Sequence, residues 1–497
     1  MKNLKTGRRG AIVALGLAAA LGFSVITPAA QAAESTVDIG SLYEPVNLDN
    51  TAGGGQGVTE ALNGNVYEGL FKLTDKGAVE NLLATKVVKT DGGLTYKITI
   101  RSGVKFHSGD AVTSADVKYS VEKVTAAASK SARKSSLKAI SSISTPDAKT
   151  VVFTLSSKSI SFVYNLSYVW IVNSANKDAA NNADGTGPYK LASWKRGSTL
   201  SLVKNDSYWG TEAKTKNIVF HYYTSATALN SALLTKQIDI ITSVQSPDSL
   251  EAFKKAGFTV NNGASTTKLL MAFNNRVAPF NNVKVRQAIV SAIDNAKLLK
   301  SVWGDYGTLT GSMVPPKDPW YEKLTDVNPY DPARSKKLLA EAGYAKGFTF
   351  QLETPNYSPH PTAAAFIKSE LAKVGITVNI NVITNDTWYS KVYKALDFQA
   401  TLQEHVNDRD VVWYGNPNFY WGYNNPEVIK LVADSEATNG TALQAAILKR
   451  ANRIIVKEAA SDWIYLYPQI VVAAAGVSGY PINGLNSQFF AYNIVKN

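Results

Sequence analysis

The chain of 497 residues contains no cysteine. That excludes disulfides, thiolate metal sites, cysteine nucleophiles and the acylated cysteine that tethers a bacterial lipoprotein, so stability must come from the packed core alone. Histidine is nearly as scarce. His107, His221, His360 and His405 are the four present, with no pair at a helical or hairpin ligand spacing, so no metal site is expected. Neither a G-x-S-x-G elbow nor a P-loop occurs. The glycine-rich "TAGGGQG" of residues 51–57 lacks the Lys-Ser/Thr end of a phosphate loop and is expected to be a flexible loop. No apolar run beyond the N-terminus is long enough to span a bilayer. These absences leave no cofactor to expect and a catalytic inventory reduced to carboxylates.

What is present starts at the N-terminus. Lys2, Lys5, Arg8 and Arg9 precede an apolar run from Ala11 to Ile26 that leads to Ala30-Gln31-Ala32. That order is a secretory signal peptide cut near Ala32. Arg8-Arg9 permits twin-arginine export, but Gly10-Ala11-Ile12 matches that signal poorly, and the general secretory route is expected. The mature chain then belongs in the periplasm, untethered, or outside the cell in a single-membrane bacterium. Setting 32 residues aside leaves 465, too many for one core, so at least two lobes are expected. The same cut removes four basic and no acidic residues, taking the formal charge from +13 to +9. Much of the excess lies in "DVKYSVEKVTAAASKSARKSSLKAI", residues 116–140. We read it as a solvated helical face; export disfavours a nucleic-acid partner.

Periodicity organises the rest. "LTYKITI" from Leu94 and "KTVVFTL" from Lys149 alternate as strands, and Thr113 with Asp116 forms a capping-box start to a helix. Apolar residues recur at helical spacing from Val283 to Val302. Asp331 as N-cap, Pro332 at the first position and Gly343 past the end bracket another helix. "FTFQLET", a helix ending at Gly375, "ITVNINVI", a helix capped by Asp386, and "DFQATLQ" then alternate strand and helix, which predicts an α/β lobe with a substantially parallel sheet. The first half is richer in hairpins. In "GTGPYKLASWKRGSTLSLVKNDSYWG" (185–210), strands Tyr189–Trp194 and Thr199–Lys204 flank a turn at Arg196-Gly197, and Tyr208-Trp209 anchors the next segment. Its glycines precede a strand, so this is scaffold and not a phosphate loop. Chain crossings between lobes are expected at Lys268–Asn274 and Trp463–Val471.

Two features carry chemistry. Asp408 and Asp410 alternate in an extended reading and share a face, as an acid/base dyad of a secreted hydrolase, a cation clamp or a plain surface loop would. No nucleophile–base–oxyanion set accompanies them, so an enzyme is not expected. Close behind, Trp413, Tyr414, Phe419, Tyr420, Trp421 and Tyr423 put six aromatics within eleven positions, interrupted by Gly415, Asn416, Pro417 and Asn418. They read either as core or as a stacking surface.

Several stretches together resemble the bacterial extracellular solute-binding proteins of the peptide, oligopeptide and nickel type (family 5), which serve ABC importers. They are "NVYEGLFKL" at Asn65, "LTYKITIRSGVKFHSGDAVTSADVKYSVEKV" at Leu94, the stretch at Gly185, "NNVKVRQAIVSAID" at Asn281, "YDPARSKKLLAEAGY" at Tyr330 and "YNNPEVIKLVADSEA" at Tyr423, in the family's order. The resemblance implies a two-lobed α/β periplasmic-binding-protein fold with mixed sheets, hinge strands and an extra subdomain in the first lobe. Residues 33–267 would form lobe I, with the subdomain at about 60–180; 268–468 lobe II; and 469–497 a return to lobe I. It implies a monomer that encloses a small peptide or other small solute and docks on a membrane ABC permease. Asp408 matches the aspartate that holds a peptide's α-ammonium in relatives, but His405 replaces the family's tryptophan, the second aspartate, Asp410, comes one residue early, and no proline follows it. The arginine of dipeptide-specific relatives would fall near Thr354, where none stands. A strict dipeptide binder is therefore not expected, and a longer peptide, oligosaccharide, opine or metal chelate remains open. Tyr43, Glu44, Trp388, His405, Asp408, Asp410, Trp413, Tyr414 and Trp421 are the expected ligand-binding residues.

Overall fold

The computed structural model describes residues 35–53, 55–74, 77–131, 133–406, 408–484 and 488–497; the expected signal peptide lies outside them. Three sheets organise the chain. A seven-stranded mixed sheet is built around Thr36–Ser41, which pairs in parallel with Asn217–Tyr222 and Ile240–Ile241; the hairpin Tyr189–Lys195/Thr199–Lys204 extends one edge and Gln469–Ala473 with Thr259–Gly263 the other. A six-stranded mixed sheet is centred on Lys268–Phe273, antiparallel to both Ala400–His405 and Ser461–Leu466. Within this sheet parallel pairing is confined to Thr349–Pro355 with its neighbours Thr377–Ile383 and Ala400–His405, so the substantially parallel sheet expected for the second half is mixed instead. A third, four-stranded antiparallel sheet (Ala84–Thr90, Thr95–Ile100, Thr150–Leu155, Ile140–Asp147) packs against the helix Ser114–Thr125 around its own core of Ile98, Val117, Val121 and Phe153.

The chain passes between the two large sheets twice. Residues 264–267 join Thr259–Gly263 to Lys268–Phe273, and Tyr467-Pro468 joins Ser461–Leu466 to Gln469–Ala473. Every residue of Lys268–Phe273 and of Ser461–Leu466 is buried, as expected of strands covered on both faces.

Local signals account for many boundaries. Thr113 and Asp116 form the capping box, and Asp331 accepts from Arg334 N ahead of Pro332. Other expectations are corrected. The run Val283–Val302 is two helices, Val283–Ala292 and Asn295–Trp303, because Asp294 caps the second by accepting from Lys297 N. Thr384, not Asp386, caps the turn before Trp388, and the backbone there continues as a wide helical turn over Trp388–Lys394. The glycine-rich 51–57 segment is not wholly loop: a helix starts at Gly55 and runs to Leu62.

The stretch at Gly185 is scaffold. A Cβ on Gly185 would meet the Val66 carbonyl oxygen at 1.9 Å and one on Gly187 the Asn65 oxygen at 2.5 Å, so only glycine allows this close approach. The buried Glu68 of "NVYEGLFKL" ties the stretch down, accepting from Thr186 (2.8 Å), Tyr208 (2.7 Å) and Trp209 (2.9 Å).

Candidate functional site

A cavity of about 460 Å³ opens where the crossings meet the third sheet's domain. Its walls include Ser265 and Thr266 of one crossing, Tyr467 and Pro468 of the other, Asp318 and Trp320, and Asp408 and Arg409. Asp408 lies shortly beyond the strand Ala400–His405 and is 8% exposed. Its Oδ1 accepts from the Tyr164 hydroxyl and lies 3.4 Å from that of Tyr168, both from the helix Phe162–Leu166 and its end. The Arg409 guanidinium stacks 3.4 Å over the Tyr164 ring and donates to Ser161 Oγ at 3.0 Å, and Arg133 stacks 3.5 Å over Tyr168. Arg133 thus leaves the solvated face expected for residues 116–140 and turns toward the cavity wall. Burial and the neighbouring Asp408 charge push the Asp318 carboxyl well above the usual carboxylate range.

Asp410 stands two residues on in a different environment. It is fully buried, its Oδ2 lies 2.8 Å from Lys268 Nζ, itself fully buried, and its Oδ1 lies 3.2 Å from His405 Nδ1. Burial would raise this carboxyl, but Lys268 and His405 outweigh it and hold it below its ordinary value. The shared face expected of the two aspartates is absent: Asp408 borders the cavity while Asp410 closes an internal ion pair, so they do not form a solvent-reachable dyad.

The aromatic segment also resolves into interior packing. Tyr414 and Trp421 have no exposed surface and stack 4.4 Å apart, Tyr420 and Tyr423 are 2% exposed, and Trp413 stacks on Phe419 at 5.0 Å. Arg276 pins the turn between them by donating to the carbonyls of Pro417, Phe419 and Tyr420. His405 stacks on Trp421, with its Nε2 2.9 Å from the Tyr420 hydroxyl. Trp388 packs edge-on to Tyr420 and donates to Thr401 Oγ1 at 2.9 Å. Trp388, His405, Trp413, Tyr414 and Trp421 thus pack into one ring cluster with Phe419 and Tyr420, and no free stacking surface of Tyr414, Tyr420 and Trp421 is left for a ligand. Glu44 is likewise engaged in the first large sheet, accepting from Gly197 N (2.8 Å) and Trp194 Nε1 (3.3 Å).

Tyr43 faces a second, much smaller pocket of about 50 Å³ that shares Ser265, Tyr467 and Pro468 with the first. Its hydroxyl accepts from Gln245 Nε2 at 3.0 Å. Glu60, from the helix Gly55–Leu62, and Glu404, from the strand Ala400–His405, line the same pocket. Gly57 lets that helix sit against the Tyr43 carbonyl, where a Cβ would come within 2.3 Å.

Sequence reasoning missed Tyr164, Tyr168, Arg133, Asp318, Glu60 and Glu404. The Tyr164–Tyr168 spacing of four and the acid near the end of an otherwise apolar and neutral strand at Glu404 were the available signals. Among the described residues no group of three or more His, Asp or Glu side chains could hold a metal ion, and no helix is long and apolar enough to cross a membrane.

Two large mixed sheets crossed twice by the chain, with a cavity at the crossings, define a two-lobed binding protein of α/β architecture. The family described as bacterial extracellular solute-binding proteins, family 5, matches residues 78–426, and the chain belongs to that family. It is 27% identical over 491 residues to the glutathione-binding protein GsiB of Salmonella paratyphi A, covering 93% of this chain and 94% of that one. Among solved structures, the binding protein AgaA from A. tumefacien R10, in complex with agropinic acid, superposes with a TM-score of 0.80 at 26% identity, covering 93% of this chain and 99% of that one. The ABC transporter-associated protein DppA from Helicobacter pylori, in complex with the peptide STSA, shares the fold with a TM-score of 0.80 at 22% identity, covering 93% and 98%.

Proposed function

We propose that the mature chain, exported to the periplasm or cell exterior, captures a peptide or peptide-sized solute between its lobes and delivers it to a membrane ABC importer without altering it chemically. The observation that carries this reading is the cavity of about 460 Å³ with Asp408 in its wall, a volume suited to enclosing a small ligand. A carboxylate there, held by Tyr164 and Tyr168, orients a ligand ammonium by a charge-assisted hydrogen bond. The lobes are read as 33–267 with 469–497, and 268–468, the chain acting as a monomer with no nucleic-acid partner. Closure results if the ligand contacts both lobes and so binds the closed state better than the open one.

A second reading, an opine-like amino-acid conjugate, is favoured by Arg409 and Arg133 beside Asp408, which supply cations where a ligand carboxylate needs one. A thermal-shift screen of the mature protein against di-, tri- and oligopeptides, opines, oligosaccharides and nickel chelates separates these. A ligand present at about 100 times its Kd adds ~2.7 kcal/mol of stability. Peptide binding is the expected result; a shift with opines or sugars and with no peptide of any length overturns the first reading.

A further inference from the structure

The small pocket around Tyr43 differs chemically from the large cavity. Among the described residues its only carboxylates are Glu60, on the side of the first large sheet, and Glu404, on a strand of the second, and no Lys, Arg or His lines it. Glu60 is 5% exposed, and its Oε2 accepts from Ser41 Oγ at 2.5 Å. The partners that hold the two acids are neutral hydroxyls, those of Ser41 and Thr242 for Glu60 and that of Tyr357 for Glu404. Both acids disfavour ionisation of the Tyr43 phenol, which lies within reach of both charges. Tyr467 and Trp303 also line the pocket; both are buried, and their polar atoms interact with Tyr465.

Two carboxylates facing one small space with no cation are stable only if protonated or if a cation joins them. Burial pushes each to about 7, so the proton is held loosely enough to be exchanged. A volume of about 50 Å³ admits a group of ammonium or guanidinium size and little more. Ser265, Tyr467 and Pro468 wall both pockets, so the small one adjoins the large cavity.

We propose that Glu60 and Glu404, one from each side of the cleft, receive an ammonium or guanidinium group of the solute, so that the receptor selects basic solutes. The inference rests on the interlobe-capture reading given above. Once seated, the cation bridges two carboxylates on the sides of different sheets, and its binding energy is gained only with the cleft closed.

The test is calorimetric titration of the mature protein with three tripeptides of alanine carrying lysine at the first, second or third position. Each is paired with its norleucine counterpart, which keeps the stem and lacks the charge; agmatine serves as a free cation. At least one lysine peptide is expected to bind tenfold or more tighter than its partner. At pH 7 it should release protons, seen as different heats in phosphate and Tris, while the norleucine peptide should not. Glu60→Gln and Glu404→Gln should each remove most of that preference and leave the norleucine affinity within threefold. Equal affinities in all three pairs overturn the inference and leave the peptide reading standing. Agmatine binding without any peptide binding does the reverse. No binding of either class at millimolar concentration overturns both. The wild-type comparison decides even if a variant folds poorly.

Discussion

Asp410 and Glu60 are both buried carboxyls near the cleft, yet they stand on opposite sides of their ordinary ionisation. Asp410, with no exposed surface, is held below its usual value because Lys268 sits 2.8 Å away and outweighs the burial. Glu60 meets hydroxyls and no cation, and burial carries it to about 7. Burial sets the direction in which any carboxyl is pushed, and the presence of one apposed cation reverses it. The same contrast separates the cleft's two chambers: Asp408 has Arg409 and Arg133 around its phenol partners, whereas Glu60 and Glu404 have neutral company.

The largest expected effect strikes the compensated pair. Asp410→Ala leaves Lys268 charged and buried, and urea denaturation should register a loss of about 3–5 kcal/mol. If the loss is under ~1 kcal/mol, the ion pair is not what holds this carboxyl down. Next, Asp408→Asn keeps a hydrogen-bond acceptor and removes the charge. It should cost about 2–5 kcal/mol of peptide binding while changing stability far less. A variant equally damaged in stability would make Asp408 a second structural aspartate and erase the contrast with Asp410.

The uncompensated acids predict a pH dependence. Glu60, Glu404 and Asp462 are each raised by burial to about 7. Between the ordinary carboxylate range and pH 7 the folded chain holds protons that the unfolded chain has released. Their stabilisation is therefore complete at low pH and lost as pH rises through about 7, by about 1–3 kcal/mol for each group. The melting temperature of the ligand-free protein should fall from about pH 5 to pH 8, and Glu404→Gln should flatten the slope. Asp410 acts in the opposite sense, its contribution fading only as pH drops below the ordinary carboxylate range. The smallest effect concerns Glu436, which accepts from Ser159 (2.8 Å) and Ser161 (2.6 Å) across to the third sheet's domain. Glu436→Ala should weaken ligand affinity by about 1 kcal/mol, measured by titration.

Legibility tracked the range of the interaction. The capping box at Thr113, the Asp331-Pro332 helix start and the hairpin around Gly197 depend on neighbours a few residues apart, and the pattern showed them. The break at Asp294 was equally local and was overlooked because the apolar spacing runs through it. Asp408 was legible through family resemblance alone. Its surroundings were not, because Arg133, Tyr164 and Asp318 reach it from three separate segments. The aromatic segment misled for the same reason. Gly415 to Asn418 look like an open loop, and Arg276, some 140 residues upstream, is what closes the turn and folds the rings inward.

The two chain crossings are unequally stiff. Tyr467 donates its amide to Thr267 O at 2.9 Å, so they run side by side. In Tyr467-Pro468 the proline ring fixes its own φ and restricts the residue before it, leaving few torsions to turn. Residues 264–267 contain no proline, and their side-chain and backbone hydrogen bonds reach Asn483, Ser265 and Val406. A rotation of one large sheet against the other would therefore turn about the stiffer 467–468 link and take up its slack along 264–267. Tyr467, Pro468 and Ser265 are also walls of both chambers, so such a rotation would reshape both chambers at once.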